Sequence, residues 1–119
     1  MVDKFEDLVV WQEARKLVCE IAFVVKNPIF CKDFSLVDQI LRSSRSVMSN
    51  IAEGFGRYTY RDNKQFLFIA RGSLTETQNH LYIALDLKYL TPEEFQKLYN
   101  QSVSVYKLLN GLIHYLKKA

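Results

Sequence analysis

The sequence is short of most residues that announce chemistry. Among 119 residues there are two cysteines and two histidines. Cys19 and Cys31 lack metal-ligand spacing. With an acidic start where a secretion signal would be basic, they read as reduced thiols of a cytoplasmic protein. His80 and His114 have no evident orienting partner, so neither a Ser-His-Asp nor a Cys-His constellation can be assembled. The longest apolar run, Ile21 to Val25, is far too short to span a bilayer. No repeat of solenoid period, low-complexity tract or linker interrupts the chain. Only two prolines occur, Pro28 and Pro92, both between periodic segments. Strand patterns are weak throughout.

What is present is a chain of one domain, 1–119, with 49 % hydrophobic and 24 % charged residues and a net charge of +3. That charge permits a nucleic-acid partner without demanding one. Four segments have helical period. The first runs from about Asp7 to Lys26, with Trp11, Ala14, Val18, Ala22 and Val25 on one face, and Asn27-Pro28 stops it. The second starts near Ser35 with Ile40, Ser44, Val47 and Ile51 inward. The third begins at a capping box, Thr59 to Asp62, and its stripe is Phe66, Ala70, Leu74, Thr77, Leu81 and Leu85. The fourth starts at Thr91-Pro92 with Glu93 and Glu94 on the helix dipole, and Leu98, Val105, Leu109, Leu112 and Leu116 follow. Short connections make neighbours antiparallel, so the expected fold is all-α, an up-down four-helix bundle.

The stretch SVMSNIAEGFGR, Ser46 to Arg57, is helical yet polar. On a helical wheel Gln39, Ser43, Ser46, Asn50, Glu53 and Arg57 share a stripe beside the apolar one. The third helix has a matching border with Ser73, Glu76 and His80. Facing each other, these borders form a polar seam that fixes register, with Asn50, Glu53 and Glu76 expected to be buried and hydrogen-bonded. Gly54-Phe55-Gly56 follows a helix rather than a strand and lacks both nucleotide-loop spacings. Its expected use is to end the second helix in the left-handed conformation. A di-metal site would draw on Glu53, Glu76, His80, Glu13 and Glu20, but the fourth helix has no carboxylate after Glu94. No metal, no cofactor and no catalytic residue is expected.

Gln39-Ile40-Leu41-Arg42, Ser46-Val47 and Asn50-Ile51-Ala52-Glu53-Gly54-Phe55-Gly56-Arg57 together resemble the 23S rRNA intervening-sequence protein family of four-helix bundles. Phe66-Leu67, Ile69-Ala70-Arg71-Gly72-Ser73-Leu74 and Glu76 continue the resemblance, as do Val10-Trp11-Gln12 near the start and Gly111-Leu112-Ile113 near the end. Three positions depart from it: Met48 for proline, Arg45 for a small apolar residue and Thr77 for leucine. The resemblance implies a bacterial antiparallel bundle that assembles as a homopentamer, with an RNA partner suggested by the setting of its genes. Related bundles act as accessory proteins to a reverse transcriptase. It implies no catalytic residue.

The residues add their own pointers. Phe68, Thr75 and Tyr82 recur by sevens on the third helix with Gly72 beside them, and Tyr99, Tyr106 and Ile113 do so on the fourth. A lone bundle needs one apolar face per helix, so Phe68, Gly72, Tyr82, Tyr99, Tyr106 and Ile113 are the expected oligomer contact. Arg57-Tyr58-Thr59-Tyr60-Arg61 interleaves stacking rings with phosphate-binding cations. Lys107, Lys117 and Lys118 extend the basic character where acidic residues have run out. Two function classes fit: a nucleic-acid-binding assembly using Arg57, Tyr58, Tyr60, Arg61, Lys107, Lys117 and Lys118, or a protein-interaction scaffold. Neither involves a membrane, and an enzyme ranks behind both.

Overall fold

The computed structural model describes residues 2–118, the last of these as helical backbone only. Four helices carry the chain: α1 (Val9–Val24), α2 (Phe34–Phe55), α3 (Tyr60–Asp86) and α4 (Pro92–Lys118). Single 3-10 turns at Phe5–Asp7 and Phe30–Lys32 precede α1 and α2, and the described residues include no strand. Three of the four starts follow side-chain chemistry, whereas α1 begins after Leu8 with no side-chain cap. The Asp33 carboxylate accepts the Leu36 amide at 3.1 Å, and the Thr59 hydroxyl accepts the Asp62 amide at 3.1 Å. A reciprocal capping box closes at Thr91: its hydroxyl accepts the Glu94 amide at 3.1 Å, and its own amide donates to Glu94 at 2.9 Å.

Cross-helix pairs fix the directions. Between α2 and α3, Ser43 meets Thr77 and Ser46 meets Ser73, so numbers rise on one helix as they fall on the other. Between α3 and α4, Arg71 meets Asn110 and Gln78 meets Ser102. Between α1 and α4, Glu13 meets Gln101 and Glu20 meets Lys97. Each pairing is antiparallel, and the helices neighbour one another in the cyclic order α1–α2–α3–α4. The resulting rod measures 46 × 22 × 20 Å.

The core stripe of α2 lies where periodicity put it, as does that of α4 except that Leu112 is half-buried and Ile113 is buried beside it. On α1 the inward face is shifted by one residue at three of its five expected positions, and on α3 the stripe Ala70, Leu74, Thr77 and Leu81 is buried as expected while its two ends differ. Val10, Leu17 and Ile21 are buried, while Trp11, Val18 and Ala22 are half-buried; Leu67 and Ala84 take the places expected of Phe66 and Leu85. Helix α1 is apolar over a wide arc, so periodicity alone leaves the centre of that arc open by one 100° step.

The glycines correct another expectation. Gly56 caps α2 with φ −77° and no glycine has positive φ; the left-handed residue is Lys88, at φ 62° after α3. There Tyr89 N donates to Ala84 O at 2.9 Å and Lys88 N to Leu85 O at 3.0 Å, the Schellman pattern with lysine in glycine's usual place. Gly54 lies inside α2 and is buried. A Cβ there would stand 2.8 Å from Asn63 Oδ1, 3.0 Å from Phe66 Cβ and 3.1 Å from Asn63 O. Its role is close approach to α3, not helix termination.

Candidate functional site

The α2–α3 seam exists, but only its small residues form it. Thr77 Oγ1 lies 2.8 Å from Ser43 Oγ, both buried, and Ser46 and Ser73 share a hydrogen bond of 2.8 Å. Half-buried Asn50 donates back to Ser46 O at 2.8 Å and Ser46 Oγ at 3.0 Å. The longer residues of the stripe depart from expectation. Gln39 is exposed and donates to Ser35 within α2. Glu53 and Arg57 pair with each other at 2.9 Å, their side chains 55 % and 44 % exposed. Glu76 is exposed, 3.3 Å from the Nε2 of buried His80, whose Nδ1 has no partner. The physical reason is reach. A serine hydroxyl fits within the seam, whereas a carboxylate there would shed its hydration for too few donors, and its longer stem carries it to water. A cleft of about 480 Å³ remains over the seam, lined by Ser43, Ser46, Ser73 and Glu76 with Asp38 and Arg42.

The sequence Arg57-Tyr58-Thr59-Tyr60-Arg61 forms the connection from α2 into α3. Tyr58 is 105 % exposed, meaning fully, and Tyr60 52 %. The Arg57 guanidinium rests over the Phe66 ring at 4.5 Å besides pairing with Glu53. Arg61 is exposed, and among the described residues no carboxylate pairs with it. Asp62 is the one acidic side chain in the first turn of α3. The α3–α4 register carries exposed Lys117 to the level of Lys64, near this end. Lys107 lies level with Leu74, about 20 Å along the bundle at the usual helical rise, so it does not join the turn. The side chain of Lys118 lies outside the described residues.

The expected oligomer stripe is partly consumed within the protomer. Ile113 is a core residue and not a surface contact. Tyr99 packs against Tyr82 at 5.5 Å and Phe95 at 5.4 Å, and burial together with Tyr82 raises its phenol above the ordinary value. Phe68, half-buried, lies under Arg71 at 5.3 Å, and Tyr106 is half-buried against the core. Exposed Tyr82 and Gly72 remain at the surface. Nothing stands within 4 Å of where a Cβ would sit on Gly72 or on Gly111.

The opposite end of the rod was not singled out by sequence. Phe23 is 75 % and Phe34 81 % exposed there, with Ile29 in the connection between them. The signal was present in the first-to-second helix junction, where these three apolar residues fall off the stripes. Behind them the ring of Phe30 stacks on Tyr89 at 5.1 Å, and Tyr89 donates to Asp33 at 2.9 Å. Among the described residues no three His, Cys, Asp or Glu gather to hold a metal ion, and no helix is long and apolar enough to cross a membrane.

The family model of the 23S rRNA-intervening sequence protein matches residues 6–111. The chain belongs to this family. Its structure is similar to the crystal structure of a protein of unknown function from the S23 ribosomal protein family of Bacteroides thetaiotaomicron. The TM-score is 0.83 at 29 % identity, covering 88 % of this chain and 98 % of that one. A comparison with curated proteins finds no match.

Proposed function

We propose that this family member is a non-enzymatic nucleic-acid-binding bundle that works as a ring-like homo-oligomer, five-membered as the family resemblance implies. The observation that carries the binding is the α2–α3 turn, where two exposed tyrosines alternate with arginines and Arg61 has an unpaired charge. Rings and cations in alternation suit bases and phosphates, and the family's description points to ribosomal RNA. Assembly is supported by Gly72 and Gly111. A mid-helix glycine is less stable than alanine by about 0.5–1 kcal/mol, and no neighbour within the protomer requires either one. A ring would repeat each turn around its axis and raise the local potential.

Light scattering at micromolar concentration is expected to show an oligomer, and fluorescence anisotropy saturable RNA binding that weakens steeply with salt. A clean monomer removes the ring, and no binding at low salt removes the nucleic-acid reading. A second reading, a protein-interaction scaffold, is favoured by the exposed Phe23, Ile29 and Phe34 at the opposite end. It predicts an oligomer that ignores RNA.

A further inference from the structure

Resting on that nucleic-acid reading, we infer that the α2–α3 turn captures one unpaired base of a single strand against Tyr58, with Arg57 as a positioning residue rather than a phosphate ligand.

Three observations converge on Tyr58. First, its ring is fully exposed, so both faces are open to a planar ligand. Second, Thr59 is extended, at φ −110° and ψ 151°, and its hydroxyl turns back to cap α3 at Asp62. Tyr58 and Tyr60 flank this extended residue, their Cα atoms about 6.6 Å apart at the usual extended rise. Stacked bases repeat at about 3.4 Å, so this spacing leaves room for one base on the open Tyr58 ring. Third, the turn is anchored at its root. Arg57 links the last turn of α2, through Glu53 at 2.9 Å, to the second turn of α3, through Phe66 at 4.5 Å.

The same contacts assign the cations. Arg57 has its charge paired and one guanidinium face covered, so it offers little to a phosphate. Arg61, exposed and unpaired in the first turn of α3, is the cation left to meet the backbone of the strand. A duplex does not fit this arrangement. Each of its bases is already covered on both faces, and side chains reach only the edges in its shallow groove. An unpaired base has a free face, and stacking accepts any base because every base has one. The ligand class is therefore a single strand or an open loop, bound with little sequence preference.

The test uses the full chain and a twelve-nucleotide single-stranded RNA carrying one 2-aminopurine, with a duplex of the same sequence beside it. The expected result is quenched emission on binding. Tyr58→Ala should weaken single-strand affinity roughly 5- to 150-fold and abolish the quench, Tyr58→Phe should retain both, and duplex affinity should not respond. Arg61→Gln should lower the salt slope by about 0.7 with the quench intact. Arg57→Lys, which keeps the charge but loses the planar contact with Phe66, should reduce the quench with the salt slope unchanged. Tyr58 touches nothing in the fold, so its variants should melt as the wild type does. Single-strand binding that survives Tyr58→Ala while Arg61→Gln weakens it overturns the stacking inference and leaves nucleic-acid binding standing. A salt slope lowered by Arg57→Lys overturns the positioning role. Failure of the wild type to bind either RNA overturns the functional reading itself.

Discussion

Helix α3 is held by its two neighbours in opposite ways. Toward α2 it presents small residues, and the contact is close enough that Gly54 has no room for a Cβ. Hydroxyls meet hydroxyls there, at Ser43–Thr77 and Ser46–Ser73. Toward α4 it presents long side chains: Tyr82 against Phe95 at 4.8 Å, Arg71 to Asn110 at 2.8 Å and Gln78 to Ser102 at 3.0 Å. A seam of short groups has one register, because a shift by a residue brings side chains into backbone. A seam of long groups adapts by changing rotamers. The α2–α3 hairpin is thus the rigid half of the bundle, and the turn proposed to bind nucleic acid sits at its tip.

The strongest way to break this contrast is to put a side chain on the close side. Gly54→Val is expected to cost about 3 kcal/mol by overpacking against Asn63 and Phe66, lowering the melting temperature by roughly 10 °C. The same chemistry on the open face should have the opposite sign. Gly72→Ala and Gly111→Ala should each stabilise the isolated protomer by about 0.5–1 kcal/mol, since no neighbour stands in the way. Urea unfolding read beside light scattering separates protomer stability from assembly. A Gly54→Val protein as stable as wild type would show that the close seam yields as readily as the wide one.

The hydroxyl pairs should matter next. Thr77→Val removes the donor at Ser43 from a buried site and is expected to cost about 1–2 kcal/mol. Adding Ser43→Ala should restore part of the loss, because the Ser43 oxygen that lost its donor, though it still donates to Ile40 O, is then gone. Strict additivity of the two substitutions would mean that the pair acts only as filler.

A smaller effect, confined to alkaline pH, belongs where α3 ends. The hydrogen bond from Tyr89 to Asp33, with burial and the carboxylate's charge, raises the Tyr89 phenol above its ordinary value near 10. A pKa raised by folding contributes stability that is complete below the unfolded value and is lost as pH rises through the folded one. Stability should therefore decline above about pH 10, and part of that decline should vanish in Tyr89→Phe. An unchanged alkaline profile in the variant would place the loss elsewhere.

Helix number, order and direction were legible because two starts, at Thr59 and Thr91, carry their own chemistry, because Asn27-Pro28 stops the first helix, and because the apolar period is unbroken. The seam was legible as a stripe of residue types, since spacing by threes and fours survives folding. Its depth was not. Ser43 and Glu53 occupy the same stripe, yet one hydroxyl stays buried and one carboxylate reaches water, and wheel position does not encode side-chain length. Gly54 shows a similar limit. Glycine before a turn suggests a left-handed cap, whereas the need for glycine here is imposed by Asn63 and Phe66 on another helix. Arg57 shares the wheel stripe of Glu53, so their pairing was within reach of the sequence, whereas the contact with Phe66 that completes its restraint is one spacing could not supply.

The smallest expected effect bears most directly on the turn. A buried Glu53 would make Glu53→Ala cost several kcal/mol by stranding a charged partner. With its side chain 55 % exposed and that of Arg57 44 % exposed, the pair is a screened helix-surface contact at four-residue spacing. Its loss should cost only about 0.3–0.5 kcal/mol, barely resolved in a thermal melt and smaller still in high salt. Function should not follow stability here. Removing the carboxylate frees the Arg57 charge while leaving its contact with Phe66, so the turn gains a cation. Glu53→Ala should therefore melt almost as the wild type does and bind single-stranded RNA with a salt slope steeper by about 0.7. A loss of several kcal/mol would return Glu53 to the rigid side of α3, buried by an assembly that the single protomer lacks.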